Sequence, residues 1–164
     1  MKDTFTFYVA GPWAHKNAVY ETIRKIRAAG WQTNSRWAEP DNPDIDPADP
    51  RYEELRFEQA AKDMQDCIQA DGLIYINSLK SEGKATELGM GLAMLKPIVI
   101  IGGRENNIFL SLNIPAFPTI EEALEWLEGA GQDYLAFSVD RQLAFAESVA
   151  MTGLLSSMEL PNAN

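Results

Sequence analysis

Short runs of continuous apolar residues, each closed by a glycine, proline or polar loop, are the feature of this sequence that most limits its fold. The clearest runs are Thr4–Ala10, Gly72–Asn77 and Ile98–Ile101. Strands that are apolar throughout are typical of parallel sheets covered by helices on both faces. Helical patterns separate these runs. The order predicts an α/β fold with a doubly wound parallel five-stranded sheet, flavodoxin-like, and an extra C-terminal helix.

The first half of the chain alternates between helical and extended patterns. Apolar residues recur at helical spacing over Ala18–Ala29, and Trp31–Trp37 is predicted as a second strand. The Pro- and Asp-rich segment Ala38–Pro50 is expected to be an ordered loop or a lid. A helix over Tyr52–Ala70 is expected to bury the stripe of Phe57, Ala60, Ala61, Met64, Cys67 and Ile68.

The second half carries further helix signals. A helix is predicted over Lys84–Leu95, and Thr119 and Glu122 form a capping box for a helix through Leu127. A last amphipathic helix is predicted over about Ser138–Ser157. A chain of 164 residues suits a single domain. We expect a catalytic core at about 4–128 and a helical extension at about 132–164.

Composition excludes several classes of partner. With 24 acidic and 14 basic residues, the net charge of -10 would repel duplex DNA or RNA. The single cysteine, Cys67, cannot form an internal disulfide, and the first residues do not resemble a signal peptide. Apolar stretches are too short to cross a bilayer. We therefore expect a cytoplasmic protein with no membrane partner.

The loop after the first strand, Gly11–Pro12–Trp13, opens a helix. Its glycine allows close approach of backbone to a ligand, and a helix N-terminus favours an anionic or polar group. A tight turn with nothing bound explains these residues equally well. His15 is the only histidine and has no second His or Cys ligand near it, so no metal site is predicted.

Glu87 and Asp63 are the candidate reactive carboxylates. Glu87 is predicted in the first turn of a helix, where the helix N-terminus would keep its pKa low and the side chain anionic. On spacing alone, a role in complementing the helix dipole is the more frequent one. Asp63 is predicted at the edge of the buried stripe of its helix, whereas Asp66 is expected on the solvent side. An ordinary solvated charge is again the more frequent alternative for Asp63.

Together these motifs resemble the nucleoside 2-deoxyribosyltransferase family. The resemblance covers roughly 4–127 and rests on FYVAGPW, on Asp63 before ADGLIYI, and on ELGMGLAMLKP from Glu87 to Pro97. It implies that Glu87 is the nucleophile that attacks deoxyribose and holds a covalent glycosyl intermediate. Asp63 would exchange a proton with the departing base. Such a retaining, two-carboxylate mechanism needs no cofactor.

The family resemblance leaves two acceptors open. Transferases pass the sugar to a second nucleobase, and the related deoxynucleoside 5'-monophosphate N-hydrolases pass it to water. Where transferases often carry an aspartate, this sequence has Ser81, and the hydrolases use a serine there to hold the phosphate. Lys84 could add a phosphate donor, and Glu82 could replace the aspartate. The A-G-P-W loop is closer to the transferases, which we place first.

The resemblance also implies substrate-binding positions and partners. These are Gly11, Pro12, Ser81, Gly83 and Asn107, with Asn107 binding the sugar's 5' end, often in a neighbouring subunit; a polar turn is the equal alternative. Tyr8, Trp13 and Trp37 are candidate walls for a flat base, or core. A homo-oligomer acting on a deoxynucleoside or deoxynucleotide and a free nucleobase is expected. A phosphoribohydrolase of the cytokinin-activating type and a non-catalytic nucleotide-binding domain are weaker alternatives.

Overall fold

The computed structural model describes residues 2, 4–104, 108–112, 114–138 and 140. Up to residue 130, the described residues form five strands and four α-helices: β1 (Thr6–Ala10), α1 (Lys16–Ala28), β2 (Gln32–Thr33), α2 (Tyr52–Gln69), β3 (Gly72–Asn77), α3 (Glu82–Ala93), β4 (Ile98–Gly102), β5 (Ala116–Phe117) and α4 (Ile120–Glu128). Short 3-10 turns occupy Trp13–His15, Arg36–Ala38 and Ile108–Ser111.

The five strands form one sheet in the order β2-β1-β3-β4-β5, and all pairs are parallel. The α1 and α4 helices contact each other, and α2 contacts α3, so two helical layers cover the sheet. The central strands are buried on both faces because they lie between these layers. The predicted doubly wound α/β fold is confirmed, and the carboxyl ends of the strands share one edge.

The second strand is much shorter than predicted. Only Gln32 and Thr33 pair with β1, and the chain then turns into a 3-10 helix. The turn is fixed by β1 itself, since Val9 N donates to Ser35 Oγ at 2.5 Å and Trp37 Nε1 donates to Val9 O at 3.1 Å. These side-chain bonds replace the backbone pairing that a longer strand would need.

The predicted orientation of α2 is wrong. Most of the stripe expected in the core faces outward, and Phe57 is 74% exposed. Of that stripe only Cys67 is buried, whereas Asp66, expected in solvent, is 3% exposed. The buried carboxylate is satisfied by the guanidinium of Arg36, so the helix turns its polar side toward the 3-10 turn that follows β2.

Helix ends follow local capping chemistry. Thr119 Oγ1 accepts from Glu122 N at 3.3 Å and starts α4, which confirms Thr119 as the N-cap; the Glu122 carboxylate accepts from Thr119 Oγ1 rather than from its backbone N–H. Residues 131–138 are helical, and most of the predicted final helix, about Ser138–Ser157, lies outside the described residues. No helix in the described part of the chain is long and apolar enough to cross a membrane.

Candidate active site

Tyr8 and Glu87 meet between the sheet and the layer that α2 and α3 form. Tyr8 is fully buried on β1, and its hydroxyl donates a 2.5 Å hydrogen bond to Glu87 Oε1 on α3. Their side chains come together because β1 is an inner strand of the sheet and α3 packs on it. The hydrogen bond fixes the orientation of the Glu87 carboxylate, and the O–H donor stabilises its negative charge.

The pKa of Glu87 is raised to about 7, mainly because burial disfavours the ionised carboxylate. The hydrogen bond from Tyr8 lowers this pKa, and the charge of Asp63 raises it. The predicted low pKa is therefore wrong. Ser81 Oγ accepts from Lys84 N and starts α3 at Glu82, which puts Glu87 in the second turn, beyond most of the dipole's influence.

Asp63 lies on α2, half-buried, and near enough to Glu87 for its charge to raise the pKa of Glu87. Burial is the largest cause that raises the pKa of Asp63, to about 6, and the charge of Asp66 adds to it. The charge of Arg36 lowers the pKa of Asp63. An aspartate whose pKa is near 6 can both donate and accept a proton close to neutral pH.

Exposed Arg36 forms an ion pair with buried Asp66, beside Asp63. Arg36 Nη2 lies 2.6 Å from Asp66 Oδ1, and Arg36 Nε bonds both carboxylate oxygens, at 3.0 and 2.9 Å. Asn34 Nδ2 donates to the backbone oxygen of Asp66 at 2.8 Å. The pair ties the segment after β2 to α2 and supplies a fixed positive charge next to Asp63.

Two cavities reach Asp63 from different sides. One, of about 510 Å³, lies between Trp13 and α2, and Ile45 and Tyr52 contribute to its wall. The other, of about 600 Å³, lies under the Pro- and Asp-rich loop and includes Arg36 and Trp37. Trp13 stacks on Trp37 with ring centroids 5.9 Å apart. Trp13 is 41% exposed and Trp37 is buried, so Trp13 offers the open aromatic face.

The Pro- and Asp-rich loop is held over the site by basic residues of α1. The ammonium of Lys16 bonds the backbone oxygen of Asn42, lies 3.7 Å from Asp44, and sits 4.7 Å from the ring centroid of Trp13. Arg27 Nη2 lies 2.6 Å from Glu39 Oε1 at the start of the loop. The loop is thus anchored as an ordered wall.

Other predicted binding residues line the same edge of the sheet. Gly11 and Pro12 are buried after β1, and a Cβ at Gly11 would lie 2.5 Å from Val19 Cγ2. This glycine is therefore required for packing of α1 as well. Ser81 caps α3, and Gly83 is exposed in its first turn. Asn107 lies outside the described residues.

The side chain of Lys84 is hydrogen-bonded to the end of β3 and the loop that follows it. Its buried ammonium donates to Leu79 O at 2.6 Å, Ile76 O at 3.2 Å and Asn77 Oδ1 at 3.2 Å. Burial lowers its pKa. Three acceptors use its three protons, so Lys84 positions this loop and has no proton left for a phosphate.

His15 bridges two loops, with Nδ1 3.2 Å from Ser78 Oγ. The described residues contain no group of three or more His, Cys, Asp or Glu side chains placed to hold a metal ion.

Sequence reasoning missed the residues that tune and enclose the site. Tyr8 was assigned to a base-binding wall or the core, and its contact with Glu87 has no local signal. Arg36 and Lys16 were not singled out at all. The sequence carries one signal for this part of the site. Asp66 follows Asp63 by three residues on the same helix, and this spacing indicates a polar helix face that pairs with another polar group.

Structural comparison identifies chains of the same fold. The 2-deoxyribosyltransferase of Bacillus psychrosaccharolyticus matches with a TM-score of 0.52 at 18% identity, over 73% of this chain and 90% of that one. A conserved protein of Enterococcus faecalis matches with a TM-score of 0.52 at 17% identity, over 76% and 97%. A CMP N-glycosidase of Clostridium botulinum gives a TM-score of 0.48 at 17% identity, over 75% and 98%.

No protein-family model matches the sequence, and no curated protein sequence matches it. The structural matches nevertheless cover most of both chains. The resemblance read from the sequence is confirmed at the level of the fold: this chain has the fold of the nucleoside 2-deoxyribosyltransferase family.

Proposed function

We propose that this protein cleaves the N-glycosidic bond of 2'-deoxynucleosides and transfers the deoxyribosyl group to another nucleobase. The observation that carries the proposal is the half-buried pair of Glu87 and Asp63, with Tyr8 bonded to Glu87 and with Asp63 and Trp13 lining one cavity. Carboxylates with raised pKa values beside a cavity are typical of acid–base and nucleophilic sites. The fold similarity to a 2-deoxyribosyltransferase supports the same reaction class.

The first step makes a glycosyl-enzyme. A carboxylate oxygen of Glu87 attacks the anomeric carbon, the carbon–nitrogen bond breaks, and its electron pair goes to the base nitrogen. Protonated Asp63 gives its proton to the departing base. Deoxyribose has no 2-hydroxyl, and its oxocarbenium-like transition state therefore forms more readily than that of ribose. The chemistry uses no metal or organic cofactor.

The second step reverses the roles. A nitrogen of the incoming base attacks the anomeric carbon, the bond to Glu87 breaks, and ionised Asp63 accepts the proton that this base loses. Two displacements at one carbon retain its configuration. The tyrosine hydroxyl stays on Glu87 throughout and stabilises the carboxylate each time it is released.

Electrostatics favour a nucleoside over a nucleotide near the loop. The cavity under the loop is lined by the acidic side chains of Glu39, Asp41, Asp44, Asp46, Asp49 and Glu58, against two cations, Arg36 and Lys62. An acidic lining of this kind repels a phosphate. Lys84, in the first turn of α3, is already hydrogen-bonded to protein oxygens.

Hydrolysis of a deoxynucleoside 5'-monophosphate is the second candidate. The observation in its favour is Ser81, whose hydroxyl lies at the N-terminus of α3, where backbone N–H groups and the helix dipole favour an anion. In this alternative Glu87 and Asp63 keep the same roles, and water replaces the second base.

The test is base release and base exchange, followed by chromatography. Purified protein is incubated with each deoxynucleoside and each deoxynucleoside 5'-monophosphate, with and without a second free base. Glu87→Gln is compared with Glu125→Gln, a matched change of an exposed glutamate on α4. We expect a new deoxynucleoside only when acceptor base is present, and none with Glu87→Gln.

Each other outcome has a definite meaning. Base released from monophosphates alone assigns the hydrolase, and full activity of Glu87→Gln refutes the role of Glu87. If neither reaction occurs but nucleosides bind, the protein is a nucleotide-binding domain.

A further inference from the structure

The guanidinium of Arg36 keeps N–H donors that no acceptor in the described part of the chain uses. Its Nε and one proton of Nη2 bond the Asp66 carboxylate, at 2.9 and 2.6 Å. Because a guanidinium carries its N–H donors in a planar fork, both protons of Nη1 and the second proton of Nη2 are left over. The side chain is 57% exposed. Arg36 therefore presents free donors in an orientation that its bonds to Asp66 fix.

These free donors belong to the same cavity as Asp63. Both Arg36 and Asp63 line the cavity of about 600 Å³ under the Pro- and Asp-rich loop. They are close enough for Arg36 to lower the pKa of Asp63 and for Asp63 to raise the pKa of Arg36. The charges that shift the pKa of Asp63 are those of Asp66, Arg36 and Lys62, and no carboxylate of the loop is among them. A group bound at Asp63 thus has the Arg36 guanidinium as its neighbour.

Several loop carboxylates that line this cavity already have partners in the protein. Glu39 pairs with an arginine of α1, Asp44 lies 3.7 Å from a lysine of α1, and Asp46 and Asp49 accept from backbone N–H groups two residues further on. Beside Asp63, the polar group with fixed and unused capacity is therefore a donor rather than an acceptor.

We propose that Arg36 makes this protein selective for the 2'-deoxynucleosides of 6-oxopurines, hypoxanthine and guanine, over that of adenine. The inference rests on the proposed function, since that function places the departing base at Asp63. Arg36 donates to O6 of the base, and protonated Asp63 donates to the adjacent N7. Both atoms are acceptors on one edge of a 6-oxopurine, whereas adenine presents an amino donor beside N7. Facing adenine, the guanidinium meets a second donor and gains no hydrogen bond.

The contact also assists departure of the base. As the bond between the anomeric carbon and N9 breaks, its electron pair passes to the purine ring, and N7 takes the proton of Asp63, which becomes a carboxylate. The base leaves as a neutral molecule protonated on N7. A charge-assisted hydrogen bond from Arg36 to O6 stabilises the electron density that the departing base gains.

A neutral carbonyl oxygen suits this guanidinium better than a phosphate does. Asp66 already balances the charge of Arg36, and the cavity carries the six acidic side chains named above. These charges repel a phosphate, whereas a carbonyl oxygen needs only a free donor. Since Asp66 holds the planar fork in place, little side-chain entropy is lost when the base binds.

The test is the ratio of kcat/KM for deoxyinosine to kcat/KM for deoxyadenosine, with base release measured by chromatography. Effects of a substitution on folding or on Asp63 act on both substrates and cancel in this ratio. We expect Arg36→Met to lower the ratio about tenfold to a hundredfold. The matched control is Lys62→Met, which removes the other cation that lowers the pKa of Asp63 and should leave the ratio unchanged.

A double variant tests the same point without an unpaired buried charge. Arg36→Met leaves the Asp66 carboxylate without its cation, which can prevent folding. Asp66→Asn combined with Arg36→Met replaces the ion pair by neutral groups and should lower the ratio to the same extent. Circular dichroism of each variant checks that it folds.

Failure of the inference and failure of the proposed function give different results. An unchanged ratio in the folded Arg36 variants, an equal loss in Lys62→Met, or loss of activity toward monophosphates alone would each overturn the inference. Absence of base release from every substrate would refute the proposed function instead. Calorimetric titration with the free bases then decides the role of Arg36: tighter binding of hypoxanthine than adenine, lost in the double variant, supports it, and equal binding refutes it.

Discussion

Tyr8 Oη donates a 2.5 Å hydrogen bond to Glu87 Oε1, and Tyr8 is fully buried whereas Glu87 is half-buried. Burial raises the pKa of the Tyr8 hydroxyl, and the charge of Glu87 raises it further. The phenol therefore stays protonated at neutral pH and remains a donor to the carboxylate. The hydrogen bond lowers the pKa of Glu87 and so favours its anionic form.

Tyr8→Phe should slow base release about tenfold to a hundredfold while the fold persists. Because the hydrogen bond from Tyr8 lowers the pKa of Glu87, its loss should raise that pKa and move the acid limb of the rate to higher pH. The measurement is kcat/KM against pH, with Tyr20→Phe on α1 as control. An unshifted acid limb would show that the two residues are not coupled.

Activity should be highest between about pH 6 and 7, because Glu87 must be ionised and Asp63 protonated in the first step. Asp63→Asn should abolish the alkaline limb. The acid limb, which reports the ionisation of Glu87, should remain. These limbs are measured with a substrate whose base leaves without protonation, so that the variant retains activity. Retention of the alkaline limb would assign it to another group.

Glu87→Gln should stabilise the folded chain at pH 8 by on the order of 2 kcal/mol. The pKa of Glu87 is raised to about 7 from 4.5, so its favourable contribution is complete below pH 4.5 and is lost as the pH rises through 7. The gain from glutamine should therefore disappear near pH 4.5. Urea unfolding at both pH values measures it, and equal gains at both would contradict the raised pKa.

Arg36→Gln should destabilise the chain by about 1–3 kcal/mol, because it leaves the buried Asp66 carboxylate without its cation. It should also raise the pKa of Asp63, which Arg36 lowers, and move the alkaline limb of the rate upward. Arg24→Gln breaks an exposed pair with Glu21 and should change stability by less than about 0.5 kcal/mol. An equal loss of stability in the two variants would show that Arg36 stabilises the fold no more than an exposed arginine does.

Lys84→Met should destabilise the chain by about 1–3 kcal/mol, since three oxygens lose a buried donor. If Lys84 only positions the loop, the variant should change KM for a nucleoside and for its monophosphate by the same factor. A selective rise in KM for the monophosphate would instead assign Lys84 to phosphate binding. Lys25→Met, a change of an exposed lysine on α1, is the surface control.

Local patterns determined much of this protein. The continuous apolar runs predicted a parallel sheet, and Thr119 with Glu122 predicted the start of α4, because these signals depend on residues a few positions apart. The sequence also indicated Glu87 and Asp63 as the carboxylates to test, through a motif read along the chain.

Only the tertiary structure decided which way α2 faces and how the carboxylates titrate. Helical periodicity defines the angle of an apolar stripe but not the side on which the rest of the chain packs, and in the fold α2 turns Asp66 toward Arg36 and leaves Phe57 exposed. The pKa of Glu87 depends on desolvation and on Tyr8, which is 79 residues away in sequence. Burial and long-range contacts are properties of the assembled fold, so no local pattern encodes them.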